Sequence, residues 1–115
     1  MNQSEREERD YLEDILAEIA NLKAFTHGIT FESFKRDQKT IYACQRSLEV
    51  IGEAAKCISS ETKLEHPQVE WRKIAGIRDV IIHNYSGVDL SVIWESIQTS
   101  IPVLKTQVES IIKGL

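Results

Sequence analysis

Apolar residues recur along most of the chain at steps of three and four, the period of helices buried along one face. Leu12, Ile15, Ile19 and Leu22 open the pattern and predict a first helix over about residues 4–25. Ser4 suits its N-cap, acids follow in the first turn where the positive helix end favours them, and His27-Gly28 supplies a stop. The stretch TFESF predicts a short extra helical turn anchored by Phe31 and Phe34. Ile41, Cys44, Leu48, Ile51, Ala55 and Ile58 then follow a 3-4-3-4-3 spacing, a narrow seam of the kind bundles use. Gly52, Ala54 and Ala55 lie in that seam, and residues so small let another helix approach closely.

A polar stretch follows Ser59-Ser60, and Pro67 opens a third segment, QVEWRKIAGIRDVIIH, with Ile74, Ile77 and Ile81 as its stripe. Asn84-Tyr85-Ser86-Gly87 ends it. Asp89 suits the N-cap of a last helix whose apolar positions run Leu90, Ile93, Ile97, Ile101, Leu104, Val108, Ile111 and Leu115. Pro102 falls inside that run and predicts a kink there or a restart one turn later. The expectation is an all-α, up-and-down bundle of four main helices with short connections.

Composition narrows the class. A chain of 115 residues with 42% hydrophobic and 28% charged positions fits one globular domain, residues 1–115. No stretch approaches the ~18 apolar residues of a membrane span, and the charged start is unlike a secretory signal. A cytoplasmic protein without membrane contact is expected. Cys44 and Cys57 stand alone, outside any CxxC pairing, and are expected to be small, buried, reduced core residues. His27, His66 and His83 show no HxxxH or HExxH spacing, so neither a structural zinc nor a cofactor is expected.

The net charge of −4 is unevenly spread. Residues 1–20 carry seven acids against two bases, and residues 21–85 carry ten bases against eight acids. Affinity for nucleic acid comes mainly from neutralising phosphates, so the chain as a whole is no general nucleic-acid glue. A local site in the middle segment is compatible with this balance.

The stretch RDVIIHNYSGVD carries the candidate chemistry, because Arg78, His83 and Tyr85 crowd the end of a helix. On a regular helix, about 100° per residue, Arg78 falls near the edge of the isoleucine stripe and His83 projects about 140° away. Either the helix unwinds near His83, or two chains each contribute a copy across a symmetric interface, for which the small-residue seam of the second long helix offers a contact. Ordinary structure accounts for the same residues: a histidine favoured by the helix C-terminus, an arginine snorkelling to an acid, a tyrosine capping the core.

The wider pattern is more specific. Pro67, Trp71-Arg72, Gly76-Ile77-Arg78, His83, Tyr85, Val88-Asp89 and Trp94 together resemble the HEPN superfamily, in particular its HepT-like toxin branch. Gly52-Glu53-Ala54 within LEVIGEAAK is similar to that family's second-helix pattern. Asp79 departs from the common asparagine and Asn84 from the common aspartate. The resemblance implies a homodimer that brings two Arg-x4-His motifs into one cleft and acts as a metal-independent endoribonuclease toxin. It implies catalytic roles for Arg78 and His83, with Asp79 or Asn84 orienting the imidazole and Glu53 holding the arginine. The implied partner is a minimal nucleotidyltransferase antitoxin that silences the toxin by attaching AMP to Tyr85. Two other functions remain open: a non-catalytic HEPN binding module that partners a nucleotidyltransferase, and a plain dimeric scaffold.

Overall fold

The computed structural model describes residues 6–83 and 89–115, and the side chains of residues 6–77 and 89–115. Among the described residues seven α-helices follow in chain order: α1 (Glu8–Thr26), α2 (Phe31–Lys35), α3 (Gln38–Lys56), α4 (Ser60–Glu65), α5 (Trp71–His83), α6 (Leu90–Glu95) and α7 (Ile101–Lys113). A π-helical turn, Ser96–Ser100, joins α6 to α7 without a break. There is no strand among the described residues. Four rods therefore make the bundle: α1, α3, α5 and the composite α6–π–α7. The all-α, up-and-down expectation is met.

The core forms where the apolar stripes converge. Leu12, Ile15, Ile19 and Leu22 of α1 are buried with Ile41, Cys44, Leu48, Ile51 and Ala55 of α3. Helix α3 is central, packing against α1 on one flank and α5 on the other, while α7 closes against α1. Gly52, Ala54 and Ala55 are buried inside the chain in this packing. The small-residue seam is thus consumed within one chain and is not the surface left for a second copy.

Helix ends follow local chemistry. Gly28 takes φ +74°, a left-handed value that suits glycine, just past the C-cap of α1. Helix α1 starts at Glu8, four residues beyond the expected start at Ser4, which lies outside the described residues. The earlier acids serve the new start: the Asp10 carboxylate accepts from the Glu7 backbone N–H at 2.9 Å, and Arg6 pairs with Asp14 at 2.8 Å. Thr30 caps α2, Asp37 caps α3 and Asp89 caps α6, each accepting from a backbone N–H in the first turn. The hydroxyl and amide of Thr40 hold the Asp37 carboxyl below its usual range, and those of Ser91 do the same for Asp89.

Two elements differ from expectation. The polar stretch after Ser59 folds into α4, too short for periodicity to register, with Ser59 as its cap. Pro67 does not open α5; residues 67–70 form a turn, and the helix begins at Trp71, whose indole N–H donates to the His66 carbonyl at 3.0 Å. At the C-terminus Leu115 is exposed beyond the last helix and joins no stripe.

Pro102 does not restart the helix, because Ser100 and Ile101 ahead of it keep helical backbone angles. It stands in the first turn of α7, where a missing N–H costs least, and the Ile101 N–H reaches back to the Ser96 carbonyl, an i→i−5 bond. Ile93, Ile97 and Ile101 are all buried. Two successive four-residue steps overshoot the 3.6 residues of an α-turn, and the wider π turn takes up the excess.

One polar contact ties distant parts of the chain at the end opposite α2. Glu8 accepts from the Ser59 backbone N–H at 2.6 Å and from the Thr62 hydroxyl, joining the start of α1 to the start of α4. Partial burial pushes the Glu8 carboxyl up, but the hydrogen bonds from Thr62 and Ser59, with Lys63 nearby, outweigh it and leave it below the ordinary carboxylate range. A depressed carboxyl stabilises the fold above its unfolded value and loses that contribution as pH falls through the folded one. Glu8→Gln should therefore cost about 1 kcal/mol at pH 7, as expected for a charge-assisted pair near the surface. The gap from wild type should close below about pH 4 in denaturant unfolding followed by circular dichroism. An equal gap at pH 3 and pH 7 would show that the charge contributes nothing.

Candidate active site

Helix α5 carries the motif. Its first half is anchored by buried Trp71 and Ile74, and it remains α-helical through His83. Arg78 and His83 are thus five residues apart on one regular helix, about 140° apart around its axis and roughly 7.5 Å along it. Unwinding before the histidine does not bring the two together. The side chains of Arg78, Asp79 and His83, and residues Asn84 and Tyr85 entirely, lie outside the described residues. Glu53 is exposed near the C-terminal end of α3, the helix that packs beside α5.

Beside the motif the molecule leaves a groove of about 670 Å³ between α5 and the α6–π–α7 rod. Its floor is aliphatic, formed by Leu48, Ile74, Ile77, Ile93, Ile101 and Leu104. Val92 and Val103 stand exposed along it. Its α5 wall runs through Gly76 and Ile77, immediately before Arg78. A Cβ built on Gly76 would meet nothing within 4 Å. Glycine inside a helix costs roughly 0.5–1 kcal/mol relative to alanine, and no neighbour among the described residues demands it here. The groove escapes periodicity because its walls come from helices distant in sequence, and the unexplained glycine is the one sequence signal for it.

Helix α6 packs against α2. Phe34 is fully buried with its ring centroid 5.1 Å from that of Trp94, and Phe31 lies 6.1 Å from the same indole. These ring contacts hold the last turn of α6 against α2. Among the described residues, no group of three or more His, Cys, Asp or Glu side chains is placed to hold a metal ion. No helix among them is long and apolar enough to cross a membrane.

The family described as Ribonuclease HepT-like matches residues 15–111, spanning all four rods and the motif. This chain belongs to the HepT-like family. HepT-like relatives align along nearly their whole length. One, named "Probable ribonuclease HepT", from Thermococcus cleftensis, is 45% identical over 108 residues, 94% of this chain and 98% of its own. A protein provisionally named as an RNase, from Caldanaerobacter subterraneus subsp. tengcongensis, is 46% identical over 105 residues, 91% of this chain and 94% of its own. A third, likewise provisionally named, from Methanocaldococcus jannaschii, is 39% identical over 107 residues, 93% of this chain and 88% of its own. No solved structure matches the chain.

The two cysteines of this HepT-like chain separate, against the expectation that both are buried. Cys44 is enclosed in the α1–α3 core, where burial, with Asp37 adding to it, pushes its thiol up to about 11. Cys57 is exposed at the C-cap of α3. A thiol-disulfide reagent at pH 8 should therefore titrate one thiol per folded chain and the second only in denaturant. Cys57→Ser should remove the fast phase, and two fast thiols in the folded wild type would contradict the packing of α3.

Proposed function

We propose that this protein is a metal-independent endoribonuclease toxin, a single HEPN-like domain over residues 1–115 whose active site forms between two copies of α5. The observation that carries this reading is the placement of Arg78 and His83 on one regular helix beside an open aliphatic groove, in a chain whose relatives bear ribonuclease names. A single helix does not aim both residues at one phosphate. A second α5, approaching over Gly76 where no described side chain stands in the way, supplies the complementary copy.

The residue types suit cleavage by the RNA itself. The 2′-hydroxyl attacks the adjacent phosphorus, a new O2′–P bond forms, the P–O5′ bond breaks, and a 2′,3′-cyclic phosphate and a 5′-hydroxyl remain. His83 takes the hydroxyl proton or protonates the leaving oxygen, the work to which an imidazole is suited near neutral pH. Arg78 presents a fixed, always charged fork to the phosphoryl oxygens, where negative charge grows in the transition state. Asp79 or Asn84 orients the imidazole, and Glu53, on the helix beside α5, holds the guanidinium. Tyr85, two residues past the histidine, is the site at which a minimal nucleotidyltransferase antitoxin attaches AMP and silences the toxin. A cytoplasmic toxin–antitoxin pair is the setting in which such a switch operates.

Purified protein incubated with labelled RNA in excess chelator should yield fragments ending in cyclic phosphate. His83→Ala should lose at least a hundredfold in rate, the usual worth of a positioned general acid or base, and RNA lacking the 2′-hydroxyl at the cleavage point should survive. Folded, unmodified wild type that leaves a range of RNAs intact, yet binds a nucleotidyltransferase, would replace this reading with a non-catalytic binding module.

The dimer face is tested separately. Open space lies beyond Gly76, and leucine is the better helix former, so Gly76→Leu should fold at least as stably as wild type. It should nevertheless sediment as a monomer and cleave no RNA. A dimeric, active Gly76→Leu would place the shared cleft elsewhere.

A further inference from the structure

The end of the bundle at which α5 terminates carries a distinctive surface. Glu8 joins the start of α1 to the α3–α4 junction, so α1 runs away from that junction and α3 runs back toward it. Gln107 of α7 donates to the Gln68 carbonyl at 3.2 Å, placing the approach to α5 beside the second half of α7. Helix α5 then runs antiparallel to α3, and its C-terminal end points toward the end of the bundle that holds the last turn of α1, α2, the first turns of α3 and the start of α6.

Residues 23–46, which make most of that end, carry five bases against two acids. Residues 6–18, running from the opposite end, carry six acids against two bases. The acids at the basic end are engaged locally. Glu32 pairs with Lys35 at 3.3 Å, Asp37 caps α3, and Asp89 caps α6. Lys23, Arg36 and Lys39 are exposed and form no ion pair among the described residues. The aromatics point the same way. Among the described residues the exposed aromatic side chains are Phe25, in the last turn of α1, and Tyr42, 61% exposed and one turn past Lys39 on the outer face of α3. The Tyr42 hydroxyl accepts from the Gln38 side-chain amide at 3.0 Å, which steadies the ring without covering it. On a chain that is acidic overall, this end thus combines a local excess of bases with the exposed rings of Phe25 and Tyr42.

We propose that Arg36, Lys39 and Tyr42 form a track for single-stranded RNA that feeds the end of α5. The proposal rests on the ribonuclease reading for its purpose and on this surface for its chemistry. Arg36 and Lys39 neutralise successive phosphates, and Tyr42 stacks on a base, the combination by which proteins hold single strands without reading sequence. Duplex RNA keeps its bases stacked and presents none to Tyr42, so the track favours unpaired substrate. These three residues bind and position the strand and touch no reacting atom.

The test measures binding apart from cleavage, by fluorescence anisotropy with a labelled single-stranded RNA in a His83→Ala background at several salt concentrations. Arg36→Glu/Lys39→Glu should weaken binding at least tenfold at 0.1 M salt. It should also lower the slope of log affinity against log salt by about 1.4, two contacts at roughly 0.7 each for a single strand. Tyr42→Ala should weaken binding roughly five- to a hundredfold with the slope nearly unchanged, because stacking releases no counterions. Arg9→Glu/Lys113→Glu, an equal charge change on α1 and α7 away from the track, should lose less than threefold. All five positions are exposed, and unchanged melting by circular dichroism excludes loss of fold.

With His83 intact, the track variants should raise KM for single-stranded RNA and leave kcat within about threefold. Wild type that cleaves RNA while the track and control variants behave alike would overturn the track and leave the ribonuclease reading standing. Wild type that binds RNA through these residues but never cuts would uphold the track and overturn the ribonuclease. Absence of RNA binding by wild type would overturn both.

Discussion

The structure depends on one constraint, that α3 must be narrow enough for two helices to pack against it at once. Its buried line passes from Ile41 through Cys44, Leu48 and Ile51 to Ala55, and side chains shrink toward the C-terminal half, where Gly52, Ala54 and Ala55 lie. Small residues bring helix axes close, and close packing is where dispersion and apolar burial give the most. Helix α1 takes one side of this line and α5 the other. The position of the motif helix therefore follows from the size of side chains on its neighbour. Any enlargement in this seam moves α5, and with it Arg78 and His83.

The remaining contacts set the ends of the rods. Glu8 holds the α1 and α4 starts together at one end, while Phe34 and Trp94 hold α2 against α6 at the other. Between them the last rod keeps its apolar line by widening to a π turn before Pro102. Such turns are uncommon in helices and accompany functional sites more often than their frequency suggests. Here the wide turn borders the groove beside α5, since Ser96, Thr99 and Ser100 all line it. Pro102 thus shapes the wall that faces the motif helix.

A chain of net charge −4 that is to meet an anionic strand needs its cations in the right place rather than in number. Acids gather on the first half of α1, near the Glu8 contact, and bases gather around α2 and the start of α3, where α5 ends. The overall charge keeps weak, indiscriminate attraction to nucleic acid low. The local arrangement still offers an anionic strand one favourable approach.

The sequence by itself determined the helical class, the four rods and most of their limits, because those rest on local periodicity and on caps read within a few residues. Asp89, Thr30, Phe34 and the stop at Gly28 were legible for that reason. The family was legible too, since a long block of matched residues survives without any knowledge of packing. Short α4 was not, having too few turns for a stripe. Nor was the exposure of Cys57, because Cys44 and Cys57 look alike until the helix shows which of them falls past its end. The use of Gly52 and Ala54 within one chain and the open groove beside Gly76 were decided only by the tertiary structure. Each depends on which helices lie side by side, a choice made by long-range packing that no spacing along the chain records.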